Sequence, residues 1–269
     1  MKDSGLEPDR RILLSVVIPC FNEADTLLEC VQRLLRIQDR HLQLEIVIVD
    51  DCSSDDSGQI AAALSREFKE IKTVRHTTNR GKGAALRTGF QVARGDIVAV
   101  QDADLEYDPR DLVRLVEPII EGRADAVFGS RFLSAGTHRV LYFWHYMGNR
   151  FLTFVSNMFT DLNLTDMETC YKVFRKQVIE QIQIEEPRFG FEPEVVAKLA
   201  HLKARIYEMG ISYYGRTYAE GKKIGAKDGW WALYCIIKYN AAYLPFALKA
   251  MLLAAACGLC GLLLMGLFF

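Results

Sequence analysis

The stretch Glu45-Ile-Val-Ile-Val49, followed at once by Asp50-Asp51-Cys52-Ser53-Ser54-Asp55, indicates how this chain folds. A short, uninterrupted apolar run rich in β-branched residues is typical of a strand buried on both faces of a sheet. The next segment has helical character to about Phe68, and Ser53 or Ser54 can cap it. A buried strand that leads through a polar turn into a helix is the repeating unit of a parallel α/β sheet.

This alternation of strand and helix continues through the first 130 residues. Strands are also predicted at residues 14–18, 73–76, 96–100 and 126–128, and helices at residues 24–37, 84–93 and 111–121. Such a pattern predicts a mostly parallel sheet flanked by helices, which binds its ligands at the carboxyl ends of the strands. Residues 134–229 show no clear period. The prediction is one α/β domain over residues 13–229, after an N-terminal tail of residues 1–12.

The composition is that of a folded protein with little net charge. Of the 269 residues, 50% are hydrophobic and 25% are charged, and the formal net charge is -1. These values exclude a disordered chain, and the lack of a net positive charge argues against a nucleic-acid partner. Seven cysteines, an odd number at irregular spacings with no preceding signal peptide, predict reduced thiols and a cytoplasmic domain.

The C-terminal end has a different composition. Residues 250–269 carry no charge and are long enough for a transmembrane helix; a buried core helix is the alternative. Residues 230–249 mix tryptophan, tyrosine and lysine, which is typical of an amphipathic segment at a membrane interface. Lys238 and Lys249 predict that the domain lies on the cytoplasmic side of a single C-terminal span in the lipid bilayer, with nothing sizeable beyond it.

The strongest local signal for chemistry is Asp102-Ala103-Asp104, directly after the strand predicted at 96–100. Two carboxylates separated by one residue at a strand end can both reach one hard cation, and oxygen ligands suit Mg²⁺ or Mn²⁺. Glu106 could add a third carboxylate. The alternative is a solvated acidic turn, because so short a motif also occurs by chance.

Two further clusters suggest contacts with a nucleotide. Asp50 and Asp51 end a strand, where an acidic side chain can accept a hydrogen bond from a nucleobase N–H or a ribose hydroxyl. The turn Asn79-Arg80-Gly81-Lys82-Gly83 precedes a helix but matches neither the Walker loop nor the dinucleotide-binding fingerprint. Its glycines fit a tight turn and close helix packing, and Lys82 is a candidate for contacting a diphosphate.

Taken in order, these clusters resemble a known family. The run Val17-Ile-Pro-Cys-Phe-Asn-Glu23 is followed by Val49-Asp50-Asp51-Cys52-Ser53, Asn79-x-Gly-Lys82, Asp102-x-Asp104 and Gly129-Ser-Arg131. At this spacing the chain resembles the inverting family-2 glycosyltransferases of the GT-A fold. It is most similar to the dolichyl-phosphate mannosyltransferase branch, which loads a sugar onto a polyprenyl phosphate. Asp166-x-x-Thr169-Cys170-Tyr171-Lys172 resembles an element of that branch, except that Cys170 stands where glycine is usual.

The resemblance implies a Rossmann-like, nucleotide-sugar-binding domain and gives roles to particular residues. The metal would be held by Asp102, Asp104 and Glu106. The nucleotide sugar would be contacted by Pro19, Phe21, Glu23, Asp50, Asp51, Lys82, Asp102 and Ala103. Catalysis would involve Asp104 and three cations that face the phosphates, Arg131, Arg216 and Lys222. For these cations the alternative is an ordinary solvated surface.

The implied reaction moves a hexose from a nucleotide sugar to a polyprenyl or dolichyl phosphate with inversion. GDP-mannose is the favoured donor by resemblance, with UDP-glucose or a UDP-N-acetylhexosamine as alternatives. A polysaccharide synthase shares the early motifs but normally carries a Gln-x-x-Arg-Trp element and several membrane spans, which are not evident here. A non-catalytic membrane scaffold would tolerate loss of the metal carboxylates, which this sequence retains.

Overall fold

The computed structural model describes residues 11–39, 41–133, 139–140, 142–216 and 226–242. Its strands are β1 (Ile12–Cys20), β2 (Leu42–Asp50), β3 (Ile71–Arg75), β4 (Ile97–Val100), β5 (Ala126–Ser130), β6 (Lys172–Arg175) and β7 (Ile206–Gly210). Within the described chain they form one seven-stranded sheet in the order β3-β2-β1-β4-β6-β5-β7. Only β6 is antiparallel to its neighbours in this sheet. The mostly parallel α/β sheet expected from the sequence is confirmed.

Helices flank this sheet. They are α1 (Leu27–Leu35), α2 (Ser57–Glu67), α3 (Lys82–Val92), α4 (Arg110–Ile120), α5 (Phe143–Thr160), α6 (Lys176–Ile179), α7 (Phe191–His201) and α8 (Ala226–Asn240). In α1 the buried residues Leu27, Val31 and Leu34 recur every three or four positions, which places them on one face of the helix. Helix α3 packs against β1 and β2, α4 packs against β5 and β6, and α8 packs against α5 and α7.

Strand direction brings the carboxyl ends of most strands to one side of the sheet, here called the carboxyl edge. Strands β1, β2 and β4 are parallel neighbours, and the chain order reverses between β1 and β4. Open α/β sheets bind ligands at such a reversal. Because β6 is antiparallel to both β4 and β5, the segment that enters β6 also lies at the carboxyl edge, as do the ends of β5 and β7.

Several helices and strands begin at residues other than those predicted from the sequence. The helix predicted at 24–37 begins only at Leu27, because the Glu23 carbonyl first accepts the N–H groups of Thr26 and Leu27 in a turn. The strand predicted at 73–76 begins earlier, at Ile71. The region 134–229, without a clear sequence period, contains α5, β6, α6, α7, β7 and the first residues of α8.

The predicted transmembrane segment, residues 250–269, lies outside the described residues, as do residues 243–249 and residues 1–10. Within the described ranges, no helix combines the length and the apolar character needed to cross a membrane.

Candidate active site

The loops after β1 and β2 are tied to each other at the carboxyl edge. The Asn22 N–H donates to Ser53 Oγ at 3.0 Å, and the Ser54 N–H donates to Asn22 Oδ1 at 2.9 Å. These bonds hold Asn22 in the left-handed region, with φ 54°. The predicted nucleotide contacts on the first loop are the half-buried Pro19 and Glu23 and the exposed Phe21.

Asp51 is buried and organises the turn before α3. Its carboxylate accepts the N–H groups of Arg80 and Gly81, at 2.9 and 2.6 Å, and its Oδ1 lies 2.6 Å from Nδ1 of the buried His76. The fully buried Asp50 accepts the Ser53 N–H at 2.9 Å. The predicted contact of both aspartates with the nucleotide stays a prediction; what this structure shows is that both support the loops around them.

Lys82 lies at the start of α3 and joins two other elements. Its Nζ is 2.9 Å from Asp102 Oδ1 and 3.2 Å from Glu192 Oε1, at the start of α7. Burial opposes its charge, but the carboxylates of Asp102 and Glu192 raise the pKa of Lys82 well above its ordinary value. A permanent cation therefore lies beside the first acid of the Asp102-Ala103-Asp104 motif.

Gly81 and Gly83 let this turn lie directly on the backbone of residues 186–188. Gly81 has φ +93°, a conformation that favours glycine, and a Cβ there would overlap the Pro187 carbonyl oxygen. A Cβ on Gly83 would overlap the Glu186 carbonyl oxygen. The two glycines are needed for this close approach, which sets the position of Lys82.

The substitution Gly83→Ala should destabilise the protein by about 1–3 kcal/mol, because the new methyl group overlaps rigid backbone. Gly148→Ala is the matched control: a Cβ at this α5 position meets nothing within 4 Å, so a gain of about 0.5–1 kcal/mol is expected. Denaturant unfolding of the full chain in detergent measures both. Equal stability changes at the two positions would contradict the packing described here.

The second half of the acidic motif is held by Arg216, which follows β7. Arg216 Nη2 donates to Asp104 Oδ2 at 2.7 Å, and Nε donates to Glu106 Oε1 at 2.9 Å. Tyr213 Oη donates to the other oxygen of Glu106 at 2.9 Å. Burial, with the neighbouring carboxylates of Asp102 and Glu106, raises the pKa of Asp104 to about 7, although Arg216 opposes this.

The residues of this motif fit a divalent cation. Asp102, Asp104 and Glu106 supply hard oxygen atoms. Burial first, and then the charges of Asp102 and Glu106, raise the pKa of Asp104, and a cation would offset those charges. Ala103, between the two aspartates, is buried. Among the residues with described positions, no three His, Cys, Asp or Glu side chains are grouped as a metal site. Mg²⁺ commonly uses one or two carboxylates and completes its shell with substrate phosphates.

Arg131, after β5, is clamped by a buried acid. Its Nε and Nη2 donate to the two carboxylate oxygens of Asp166, both at 2.7 Å, and its backbone N–H donates to the same side chain at 3.0 Å. The guanidinium lies 5.3 Å from the ring centre of Tyr213. Tyr213 thus lies between the Arg131 pair and the Glu106–Arg216 pair.

Sequence reasoning did not assign a role to a second group of polar residues behind the motif. Glu168 Oε1 and Glu192 Oε2 are buried without a hydrogen-bond partner among the described residues, as is Thr169 Oγ1. Burial of its carboxyl, reinforced by Glu192, raises the pKa of Glu168 to about 8. The sequence could have pointed to both acids, because Glu168 lies inside the motif 166–172 and Glu192 directly follows Arg188-Phe-Gly-Phe.

Cys170 packs directly against the acidic motif. The Asp102 N–H donates to its Sγ at 3.2 Å, and the Cys170 N–H donates to Tyr107 Oη at 3.2 Å. The side chain that replaces the usual glycine is therefore accommodated in the described structure and supports the backbone of Asp102.

The predicted residues thus fall into connected groups. Lys82 pairs with Asp102, and Arg216 pairs with Asp104 and Glu106. The neighbouring carboxylate of Asp102 acts electrostatically on Asp104, so these five residues are here called the charged network. Lys222 lies outside the described residues, so its predicted contact with a phosphate stays a prediction.

Comparison with known proteins identifies the family. The model described as "Glycosyl transferase family 2" matches residues 15–183. The chain belongs to this family. The match spans the acidic motif, Lys82 and Arg131, and it confirms the resemblance inferred from the sequence.

Curated relatives of this glycosyltransferase lie in the predicted branch. It is 30% identical over 225 residues to the undecaprenyl-phosphate mannosyltransferase of Micrococcus luteus, which covers 79% of this chain and 88% of that protein. It is also 30% identical over 215 residues to the dolichol-phosphate mannosyltransferase of Pyrococcus furiosus, covering 78% of this chain and 60% of that longer protein.

A solved structure supports the GT-A-like fold. The glucosyl-3-phosphoglycerate synthase of Mycobacterium tuberculosis, in complex with Mn²⁺, UDP and glucosyl-3-phosphoglycerate, superposes with a TM-score of 0.66 at 17% sequence identity. The superposition covers 86% of this chain and 80% of that one. At this identity the likeness concerns the fold alone.

Proposed function

We propose that this glycosyltransferase moves a hexose, with mannose favoured, from a nucleotide sugar to a polyprenyl phosphate with inversion. One observation carries the proposal: the carboxylates of Asp102, Asp104 and Glu106 lie in direct contact with the cations Lys82 and Arg216 at the carboxyl edge. Acids that suit a metal, next to cations that suit phosphates, fit a reaction between two phosphorylated molecules. The two mannosyltransferase relatives support the choice of acceptor and sugar.

The donor end of the reaction requires neutralisation of a diphosphate. Asp102 and Asp104 would hold a divalent cation, which would offset the charge that develops on the departing diphosphate. Lys82 and Arg216 are placed to contact the same phosphates. The related fold crystallised with Mn²⁺ and UDP supports a divalent metal, Mg²⁺ or Mn²⁺, in this role.

The acceptor end requires little proton transfer. A polyprenyl phosphate is already anionic at neutral pH, so its oxygen attacks the anomeric carbon without a strong general base. The new carbon–oxygen bond forms as the bond to the nucleoside diphosphate breaks, and the diphosphate leaves with the electron pair. Arg216, Arg131 and Lys222 would reduce the repulsion between the two anionic substrates. In-line attack converts an α-linked donor into a β-linked product.

The interior polar group offers contacts for the sugar. Glu192 Oε2 and Glu168 Oε1 have no hydrogen-bond partner among the described residues, so each can accept a hydrogen bond from a sugar hydroxyl. Lys82 holds the other oxygen of Glu192 and so orients it. UDP-glucose and UDP-N-acetylhexosamines remain alternative donors, because these oxygens accept from any suitably placed hydroxyl.

Arg216→Ala should increase the affinity for Mn²⁺ alone several-fold and lower sugar transfer. The Mn²⁺ affinity should rise because Arg216 neutralises Asp104 and Glu106 in this structure, so a metal ion has to displace it. Transfer should fall because the variant lacks the guanidinium that would contact the phosphates. Arg216→Lys keeps the charge but cannot form two parallel hydrogen bonds, so its Mn²⁺ affinity and its transfer rate should lie between those of the unaltered protein and Arg216→Ala. Electron paramagnetic resonance of Mn²⁺ without nucleotide measures the affinity. Unchanged Mn²⁺ affinity together with full transfer would refute both roles.

A donor panel tests the proposed function. The full chain in detergent is incubated with polyprenyl phosphate and labelled GDP-mannose, UDP-glucose or UDP-N-acetylglucosamine, with and without Mn²⁺. Transfer is expected from GDP-mannose above the others and only with the metal. Failure of every donor, with no metal-dependent nucleotide binding by calorimetry, would favour the scaffold alternative.

A further inference from the structure

Glu186 is a buried acid in the loop between α6 and α7, beyond the end of the family match at residue 183. Its carboxylate accepts three hydrogen bonds from helix α8: from Lys238 Nζ at 2.7 Å, Tyr239 Oη at 2.8 Å and Trp231 Nε1 at 3.1 Å. Burial opposes its charge, but the bonds from Lys238 and Tyr239 hold the pKa of Glu186 below its ordinary value. An ionised carboxylate therefore fixes α8 to this loop.

Helix α8 also approaches the loop closely at Gly190. A Cβ at Gly190 would lie 2.7 Å from Sγ of the buried Cys235 on α8 and 2.8 Å from Cγ of Glu186. Both distances are shorter than those at which a Cβ contacts another heavy atom, so α8 and Glu186 lie directly against the glycine backbone. The position of the loop and the position of α8 are thus determined together.

Helix α7 holds the same loop by its backbone. The fully buried carboxylate of Glu194 accepts the Glu185 N–H at 2.7 Å and the Glu186 N–H at 2.9 Å. Glu194 lies in the first turn of α7, where the N-terminal end of a helix favours an acid. In that same turn, Glu192 pairs with Lys82 Nζ at 3.2 Å. One turn of α7 therefore contacts both the loop and the lysine of the charged network.

The start of α3 packs on the other side of this loop. The Ala84 N–H donates to the Pro187 carbonyl at 3.1 Å, and Arg87 Nη1 donates to the Ile184 carbonyl at 2.9 Å. The glycines of the turn before α3 lie directly on the same backbone. Because Lys82 lies between those glycines in the chain, its position depends on the position of the loop.

We infer that Glu186 is a positioning residue for Lys82, and that α8 thereby forms part of the support of the donor site. The contacts lead from α8 through the Glu186 carboxylate to residues 184–188, and from their backbone to the start of α3. The inference rests on the proposed function for the ligand of Lys82, a nucleoside diphosphate. It goes beyond that function, because neither α8 nor residues 184–190 supply any predicted contact with metal, nucleotide or acceptor.

The alternative is a purely structural role, in which Glu186 secures α8 without affecting α3. Hydrogen exchange of the full chain in detergent, without nucleotide or metal, separates the two roles. Glu186→Gln keeps the shape of the side chain but removes its charge and replaces one acceptor oxygen by a donor. We expect faster exchange at the amides of residues 80–86 as well as in α8. Unchanged exchange at residues 80–86 would overturn the inference, whatever happens in α8.

Two milder variants on α8 accompany this measurement. Tyr239→Phe removes one hydrogen bond to Glu186 and should give the same pattern with a smaller amplitude, which decides the question if Glu186→Gln fails to fold. Trp230→Phe is the matched control, because Trp230 is 74% exposed and lies outside the set of bonds to Glu186. It should leave exchange at residues 80–86 unchanged. Equal effects of the two variants on that segment would contradict the inference.

A double-mutant cycle tests whether Glu186 acts through Lys82. Calorimetry in Mn²⁺ should show that Glu186→Gln lowers the affinity for GDP several-fold, whereas a purely structural role would leave it unchanged. In a Lys82→Gln background the same substitution should cause little further loss, because the ammonium group that it positions is absent. An equal fold-loss in both backgrounds would overturn the inference. Failure of the unaltered protein to bind GDP or UDP would refute the proposed donor, and the exchange of residues 80–86 would still decide the role of Glu186.

Discussion

Replacing Asp104 with asparagine should lower sugar transfer by roughly 100-fold or more, because it removes a charged ligand and weakens stabilisation of the departing diphosphate. The substitution preserves the shape of the side chain, so folding should change little. Steady-state transfer and Mn²⁺ binding measured on the same preparation test this expectation, with both decreasing together.

The matched control for Asp104 lies four residues further along the chain. Asp108 pairs with the exposed Arg110 and touches no member of the charged network described above. Asp108→Asn should therefore retain near-normal transfer and metal affinity. Near-normal turnover of Asp104→Asn in Mg²⁺ or Mn²⁺ would remove this residue from the metal site.

The second large effect concerns stability. Asp166→Ala should cost about 3–5 kcal/mol, because it leaves the Arg131 guanidinium buried without its counter-charge. Asp166 is fully buried and accepts three hydrogen bonds from Arg131. Asp108→Ala breaks an ion pair whose arginine is 81% exposed, and a change of about 0–1 kcal/mol is expected there. Denaturant midpoints of the full chain in detergent give both values.

A double substitution separates the two roles of Arg131. Arg131→Met with Asp166→Leu replaces the buried pair by apolar side chains and should recover much of the lost stability. It should not recover transfer, if Arg131 also faces the phosphates. A double variant that is both stable and fully active would show that the pair is structural only.

The first half of the sheet could be predicted from local sequence, and the second half could not. Strands β1 and β2 contain the apolar runs 16–18 and 46–49, and β4 is wholly apolar; such runs are recognisable because both faces of the sheet are buried. Strand β6 is short and has a cation at each end. Lys172 is nevertheless fully buried, because its ammonium donates to the carbonyls of Met167 and Thr169. Local sequence does not reveal such partners, nor the antiparallel insertion of β6 between β4 and β5.

The candidate site, like the sheet, could be predicted from the sequence only in part. Motif spacing identified Lys82, Asp102 and Arg216 as functional candidates, but it did not predict that Arg216 contacts Asp104 and Glu106. That contact joins the segment after β7 to the loop after β4, more than 100 residues earlier in the chain. Asp51 illustrates the converse, since only the fold reveals that it supports the turn at Gly81.

The most direct test of the central claim compares two acceptors that differ only in the phosphate. The full chain is given labelled GDP-mannose, Mn²⁺ and either a polyprenyl phosphate or the corresponding polyprenol, and the anomeric configuration of the product is determined by nuclear magnetic resonance. We expect a β-linked mannosyl phosphate lipid from the phosphate and no product from the alcohol. Equal transfer to the alcohol, or an α-linked product, would contradict the proposed reaction.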